Sequence, residues 1–165
     1  MKIKLFVTGG TIDKVYNKLN GDLEFNESHV EDMLIRGRVK SDISIEKILF
    51  KDSLDFTNDD RELVTAKCSQ CSVDKIIITH GTDTMCETAQ EISQKVTNKT
   101  VVLFGSMTPY SVSNSDALLN LGFAIAAVQM KGHGVYIAMN GKIFDHDNVK
   151  KNKELGVFEE IKSKD

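Results

Sequence analysis

The sequence contains no tryptophan, no long apolar run and no strong excess of either charge. Its formal net charge is −3 at pH 7, whereas a nucleic-acid-binding domain usually carries a basic stripe. No stretch is long and apolar enough to span a membrane, and the apolar run Leu5 to Val7 is too short for the core of a signal peptide. We therefore expect a cytoplasmic protein that binds neither nucleic acid nor membrane.

Cysteine is scarce, and the three cysteines are an odd number, which argues against a disulfide framework. Cys68 and Cys71 form a C-x-x-C pair near the C-terminal end of a predicted helix. The helix dipole at that end disfavours the thiolate that a redox pair needs. A zinc site would need two more ligands, and the sequence has no second C-x-x-C. We interpret both cysteines as small apolar residues on one helix face.

Two common nucleotide-binding signatures are also missing. The sequence has neither the dinucleotide fingerprint G-x-G-x-x-G nor the G-K-[ST] of a P-loop. Residues 8–11, Thr-Gly-Gly-Thr, partly resemble the phosphate loop of flavodoxin-type proteins, so a flavin-binding protein is an alternative. Flavin rings usually stack on aromatic side chains, however, and here there are only three tyrosines and no tryptophan. Residues 145–147, Asp-His-Asp, are expected to be a solvated loop rather than a metal site. We expect no metal and no organic cofactor.

Apolar runs alternate with amphipathic or turn-bounded segments along the whole sequence. This alternation predicts an α/β fold with a doubly wound, mostly parallel sheet and helices on both faces, a flavodoxin-like three-layer sandwich. With 165 residues, we expect a single domain over residues 1–165. The predicted strands are 2–7, 43–50, 75–79, 100–105, 134–140 and 142–144, and the predicted helices are 28–36, 57–71, 83–96 and 115–130.

Local signals indicate where several of these elements begin or turn. Asn26 or Ser28 is expected to cap the first helix, and Thr57 or Asn58 the second. The pair at residues 140–141, Asn-Gly, is a strong signal for a hairpin between the last two predicted strands.

Two strand ends carry a glycine beside a hydroxyl. The first is at residues 8–11, Thr-Gly-Gly-Thr, and the second at residues 80–83, His-Gly-Thr-Asp. Because ligands bind beyond the carboxyl ends of parallel strands, both junctions can face one crevice although roughly seventy positions separate them. Glycine N–H groups there could form an oxyanion hole, and a threonine hydroxyl beside them could act as a nucleophile. Taken alone, residues 8–11 could equally be a tight turn followed by a helix cap.

The same residues resemble a known family. "TGGTI" at 8–12 and "THGTDTM" at 79–85 resemble the two signatures of the bacterial-type L-asparaginases. "SLDF" at 53–56, "GSMTP" at 105–109 and "MNGKIFDHDNVKKN" at 139–152 resemble further segments of that family, so the resemblance covers nearly the whole chain. It implies an amidohydrolase that converts L-asparagine to L-aspartate and ammonia through a threonine nucleophile and an acyl-enzyme.

The resemblance also implies roles for particular residues. Thr11 matches the nucleophile on a mobile lid loop, and Tyr16 matches the catalytic tyrosine on the same loop that polarises this threonine. Thr82, Asp83 and Lys151 match a second catalytic triad of the family. A shift of one residue in the alignment would replace Lys151 by Lys150. The residues implied in substrate binding are Gly10, Ser53, Gly81, Thr82 and Asp83.

The chain departs from the family in length. Members are commonly longer, with a smaller second domain that adds an acidic residue to a neighbouring subunit's pocket, and no such residue is matched here. The family also often has arginine where Thr108 stands. We expect a complete short enzyme without the second domain, assembled as a dimer or higher homo-oligomer and acting on asparagine, with glutamine as a further candidate. An ammonia-supplying amidotransferase part and a catalytically weak amino-acid-binding module are the alternatives.

Two further polar residues are expected to be structural. In the family context His80 is interpreted as a hydrogen-bonded group at the strand end, and Asp116 as an acid in the first turn of its helix.

Overall fold

The computed structural model describes residues 1–162. The charged end that the sequence predicts to fray, residues 162–165, lies outside the described residues except for Lys162. The strands are β1 Lys2–Gly9, β2 Lys14–Tyr16, β3 Leu23–Phe25, β4 Asp42–Lys51, β5 Lys75–Thr79, β6 Thr100–Phe104, β7 Gly134–Met139, β8 Lys142–Asp145, β9 Lys150–Asn152 and β10 Val157–Glu159. The helices are α1 Val30–Arg36, α2 Asn58–Gln70, α3 Met85–Lys95 and α4 Ala117–Met130.

Six strands form the central sheet in the order β4-β1-β5-β6-β7-β8. The first five are parallel, and β8 runs antiparallel to β7. Successive residues of β5 face opposite sides, with Ile76 and Ile78 in one core cluster and Ile77 in the other. Burial on both faces explains why this strand is a continuous apolar run rather than an alternating one.

Helices cover both faces of the sheet. One core cluster contains the buried residues of α2 and α3, including Val64 and Ile92. The other contains those of α1 and α4, including Met33 and Ala124. The predicted three-layer α/β architecture is therefore confirmed. In residues 1–162 no helix has the length and apolarity that a membrane crossing requires.

All ten elements predicted from the sequence are present; β5 has the predicted bounds, and the other nine have shifted ends. The second helix begins after Thr57, whose side chain accepts from Asp60 N while the Asp60 side chain accepts from Thr57 N, a complete capping box. The prediction of Asn26 or Ser28 as cap of α1 was wrong, since His29 occupies that position without a side-chain cap. Its backbone N–H is instead bound by Asp13 Oδ1 at 2.9 Å, a partner from a distant loop.

Two short hairpins were not predicted. β2 pairs with β3, and β9 pairs with β10, each as a separate two-stranded antiparallel sheet. The first hairpin follows the glycine-rich end of β1, and the second carries Lys151. Both hairpins are therefore close in sequence to candidate catalytic residues, the first to Thr11 and the second to Lys151.

Candidate active site

The ends of β1 and β5 are joined directly. Thr8 N donates to Thr79 Oγ1 at 3.1 Å, and Thr8 Oγ1 donates to Thr79 O at 2.6 Å. Both residues are fully buried. Because these two strands are neighbours in the sheet, the loops that follow them leave from the same edge.

The loops after β1 and β5 touch through their main chains. A methyl group added at Gly10 would lie 2.5 Å from Gly81 N, and one added at Gly81 would lie 2.5 Å from Ser53 Oγ. Gly10 has φ +92°, which favours glycine. The structure thus brings together Gly10, Gly81 and Ser53, three residues that the family resemblance implies in substrate binding.

Thr82, Asp83 and Lys151 form a hydrogen-bonded group next to this contact. Lys151 Nζ donates to Thr82 Oγ1 at 2.7 Å and to Asp83 Oδ1 at 2.9 Å. The Lys151 side chain is 11% exposed. The neighbouring Lys150 side chain is 57% exposed and pairs with Glu159 at 3.2 Å. Of the two lysines left open by the sequence, Lys151 therefore contacts the threonine and the aspartate.

Thr11 and Tyr16 occupy different surroundings. Thr11 is half-buried and opens a 3₁₀ turn, Thr11–Asp13, directly after Gly10. Tyr16 is 59% exposed at the end of β2. Within residues 1–162 the Tyr16 hydroxyl makes no hydrogen bond to Thr11, so the structure brings Thr11, but not Tyr16, to the edge where the two loops meet.

Comparison with known proteins agrees with these observations. Residues 2–163 match the family model described as Asparaginase, N-terminal. This chain belongs to the asparaginase family. The resemblance recognised in the sequence is therefore confirmed.

Relatives of this asparaginase chain differ in how much they share with it. The L-asparaginase of Thermococcus kodakarensis is 31% identical over 162 residues, which are 95% of this chain and 49% of that protein. The solved structure of the thermostable L-asparaginase from that organism superposes with a TM-score of 0.87 at 31% identity, over 99% of this chain and 52% of that one. The glutaminase-asparaginase of Acinetobacter glutaminasificans is 38% identical over 113 residues, 66% of this chain and 33% of that protein.

A third relative is one component of a different enzyme. This glutamyl-tRNA(Gln) amidotransferase component from Methanococcus vannielii is 39% identical over 84 residues, which are 47% of this chain and 20% of that protein. The asparaginase chain thus spans half or less of the length of each of these three curated relatives.

The turn that carries Thr11 is fastened on two sides by contacts that sequence reasoning missed. Lys14 Nζ pairs with Asp52 Oδ2 at 2.5 Å, next to Ser53. On the other side, Ser111 Oγ donates to Lys14 O at 2.8 Å. The Lys14–Asp52 pair joins segments 38 residues apart, and no local sequence pattern signals such a pair.

Asp13 anchors the same turn to the start of α1. It is fully buried, and Oδ1 accepts from His29 N at 2.9 Å and from Ser28 Oγ at 3.1 Å. Burial raises the pKa of the Asp13 carboxyl, and the two hydrogen bonds oppose that rise. The turn that bears Thr11 is therefore held through a buried carboxyl group two residues further along.

His80 is a structural group, as predicted. It is fully buried, its Nδ1 lies 2.8 Å from Gly81 O and its Nε2 lies 2.9 Å from Thr88 Oγ1. Burial lowers the pKa of His80 to about 4. Asp116 differs from the prediction, because it stands at the N-cap of α4 and its carboxylate accepts from Met107 N and Thr108 N rather than lying in the first turn.

The remaining candidate clusters have ordinary surroundings. Cys68 is buried in the core on α2, and burial raises the pKa of its thiol to about 12. Such a thiol is a poor nucleophile at neutral pH, which agrees with its interpretation as an apolar residue. Among the described residues, no group of three or more His, Cys, Asp or Glu side chains is arranged to hold a metal ion.

Proposed function

We propose that this asparaginase chain hydrolyses the side-chain amide of L-asparagine to L-aspartate and ammonia, with Thr11 as the nucleophile. The main support is the main-chain contact between Gly10 and Gly81, because each glycine immediately precedes one of the two candidate threonines. The family match and the names of the relatives support the same substrate class and favour it over a flavin-binding protein.

In the proposed reaction, Thr11 Oγ attacks the amide carbon and forms an ester with the acyl group, and the amide nitrogen leaves as ammonia carrying the hydroxyl proton. Water then cleaves the ester, releasing aspartate and restoring the hydroxyl. Backbone N–H groups at the glycine loops are proposed to stabilise the oxyanion. Loss of one such donor typically costs about 100- to 1000-fold in rate.

Lys151 is proposed to orient Thr82. Because an ammonium group is a hydrogen-bond donor only, its contact at 2.7 Å uses Thr82 Oγ1 as the acceptor. The Thr82 hydroxyl hydrogen is then available for a substrate or water atom. Asp83 accepts from the same Nζ, so the carboxylate holds Lys151 in the direction that this arrangement requires.

Substrate recognition is proposed for Ser53 and Asp83, together with Gly10, Gly81 and Thr82. Ser53 Oγ is buried and has no hydrogen-bond partner within residues 1–162. A buried hydroxyl usually has a partner, and the α-carboxylate of the substrate would supply one. Asp83 would bind the α-ammonium group, and Tyr16 would act from the β2–β3 hairpin when that hairpin closes.

Several wider expectations stay predictions. These are the cytoplasmic location, the homo-oligomeric state, the absence of a cofactor, and a single complete domain over residues 1–165. The relative named glutaminase-asparaginase makes glutamine the second substrate to be tested.

The deciding experiment measures ammonia release from asparagine and glutamine by the unmodified chain, by Thr11→Ala and by Thr97→Ala, a matched control at an exposed loop position. We expect loss of at least about 1000-fold in kcat for Thr11→Ala and an unchanged kcat for the control. Full turnover in Thr11→Ala would reject the nucleophile. Absence of ammonia release by the unmodified chain, with aspartate still bound in calorimetry, would favour an amino-acid-binding module.

A second candidate is an ammonia-supplying part of an amidotransferase, which the similarity to the Methanococcus vannielii protein favours. That function requires a partner protein that accepts the ammonia. Ammonia release that rises only when a co-purified partner is present would support it over a free-standing amidohydrolase.

A further inference from the structure

The hairpin that carries Lys151 lies outside the central sheet. Within the described residues, β9 and β10 pair only with each other, with Lys151 opposite Phe158. The direction of the Lys151 side chain therefore depends on how this hairpin is attached to the rest of the domain. Phe158 contributes one attachment, because its side chain is buried in the core.

Asn140 supplies a directional attachment at the same residue. Its Oδ1 accepts from Phe158 N at 2.7 Å. Asn140 stands in the turn between β7 and β8 with φ +54°, a conformation that asparagine adopts more readily than most residues. The side chain of this turn residue is thus hydrogen-bonded to β10, the strand that pairs with the Lys151-bearing strand β9.

Asn120 holds Asn140 in place from α4. It is fully buried, and its Oδ1 accepts from Asn140 N at 3.1 Å. Its Nδ2 donates to Gly105 O at 3.0 Å and to Asp116 Oδ2 at 2.8 Å. All the hydrogen atoms of this amide are therefore used, and satisfied buried networks of this kind fix one arrangement.

The network links the loop after β6 to the lysine hairpin. Asp116 also accepts from Met107 N at 3.0 Å, and a methyl group added at Gly156, in the turn between β9 and β10, would lie 3.6 Å from the end of the Met107 side chain. The same loop therefore lies near the hairpin turn and is also connected to the hairpin through hydrogen bonds that involve Asp116, Asn120, Asn140 and Phe158.

We propose that Asn140, held by Asn120, is a positioning residue for Lys151. Its hydrogen bond to Phe158 N fixes the β9–β10 hairpin so that Lys151 Nζ reaches both Thr82 and Asp83. The kinetic consequence rests on the proposed amidohydrolase function, whereas the consequence for the Lys151 contacts does not.

The test compares two substitutions that both suit the left-handed turn. Asn140→Gly removes the acceptor of Phe158 N and relaxes at φ +54°. Asn140→Asp keeps an acceptor oxygen and tolerates that φ. Asn114→Gly is the matched control, since Asn114 is an exposed asparagine with φ +62° and, within residues 1–162, makes no hydrogen bond to the hairpin.

The first measurement is independent of catalysis. Brief amine acylation followed by mass spectrometry gives the labelling rate of Lys151, with its exposed neighbour Lys150 as the internal reference. We expect Asn140→Gly to raise the Lys151-to-Lys150 labelling ratio about tenfold, and Asn140→Asp and Asn114→Gly to leave it near that of the unmodified chain. An unchanged ratio in Asn140→Gly would overturn the proposal, whether or not the chain hydrolyses asparagine.

The second measurement is steady-state ammonia release. Misplacement of a catalytic group by about 1 Å can cost about 100-fold in rate, so we expect Asn140→Gly to lower kcat 10- to 100-fold with KM changed much less. Recovery of kcat in Asn140→Asp would support positioning through the acceptor atom. Equal loss in Asn140→Gly and Asn140→Asp, or a full kcat in Asn140→Gly, would contradict it. An unmodified chain with no turnover would reject the proposed function and leave the labelling result to decide this proposal.

Discussion

The buried His80 makes the stability of this domain depend on pH in a defined direction. In the folded chain its ring is enclosed at the end of β5, with Nδ1 placed to donate to Gly81 O and Nε2 placed to accept from the Thr88 hydroxyl. A second ring proton would reverse the hydrogen bond with Thr88, whose hydroxyl can also accept, and would leave a charge in the core. Burial accordingly lowers the pKa of His80 from 6.5 to about 4.

The size of the effect follows from these two pKa values. Below pH 6.5 the unfolded chain takes up a proton at this histidine, whereas the folded chain does so only near pH 4. The free energy of unfolding therefore falls as the pH drops from 6.5 to 4, by about 1.4 kcal/mol for each unit of pKa difference, or about 3 kcal/mol in all. Well above pH 6.5, where both the folded and the unfolded chain have lost this proton, the histidine contributes no pH dependence.

The assay is urea unfolding followed by circular dichroism, since the chain has no tryptophan to serve as a fluorescence probe. His80→Gln removes the titration while keeping a donor and an acceptor. Between pH 7 and pH 4 we expect the unmodified chain to lose about 3 kcal/mol more than this variant. His133→Gln, at an exposed site, should follow the unmodified chain. Parallel pH profiles for His80→Gln and the unmodified chain would refute the reasoning.

Two further substitutions test the packing of the fold. Gly10→Ala would place a methyl group 2.5 Å from Gly81 N at φ +92°. In thermal melts we expect this variant to lose about 1–3 kcal/mol of the free energy of unfolding through backbone strain, and we expect it to lose ammonia release. Gly122→Ala is the control: the added methyl group has no atom within 4 Å, and the free energy of unfolding should rise by about 1 kcal/mol in the same melts. Thr57→Ala breaks the capping box of α2 and should lower the free energy of unfolding in urea by about 1 kcal/mol without changing turnover. An unchanged urea midpoint would show that the capping box does not stabilise α2.

The central sheet could be predicted because its strands carry their own signals. β5 has the predicted bounds of residues 75–79, because turn signals on both sides of a run of β-branched residues mark where the strand begins and ends. The two missed hairpins consist of three-residue strands, such as 150–152, which are too short to show a period of two. Their pairing depends on distant contacts, as the start of α1 depends on Asp13.

The site was predictable to the extent that it follows from strand ends. The meeting of Gly10 with Gly81 follows from the rule that neighbouring parallel strands deliver their loops to one edge. The choice between Lys150 and Lys151 was not predictable, because it depends on the register of β9 with β10. The Lys14–Asp52 ion pair could not be predicted either, since it joins side chains whose positions are set only once the sheet has formed.

The contact between Gly10 and Gly81 involves peptide groups alone, with no side chain between them. The close approach of the two loops therefore requires that neither position carries a side chain, since a methyl group at Gly10 would lie 2.5 Å from Gly81 N. Glycine is therefore expected to be kept at both positions in descendants of this chain, because a side chain at either one would push apart the turns that carry Thr11 and Thr82.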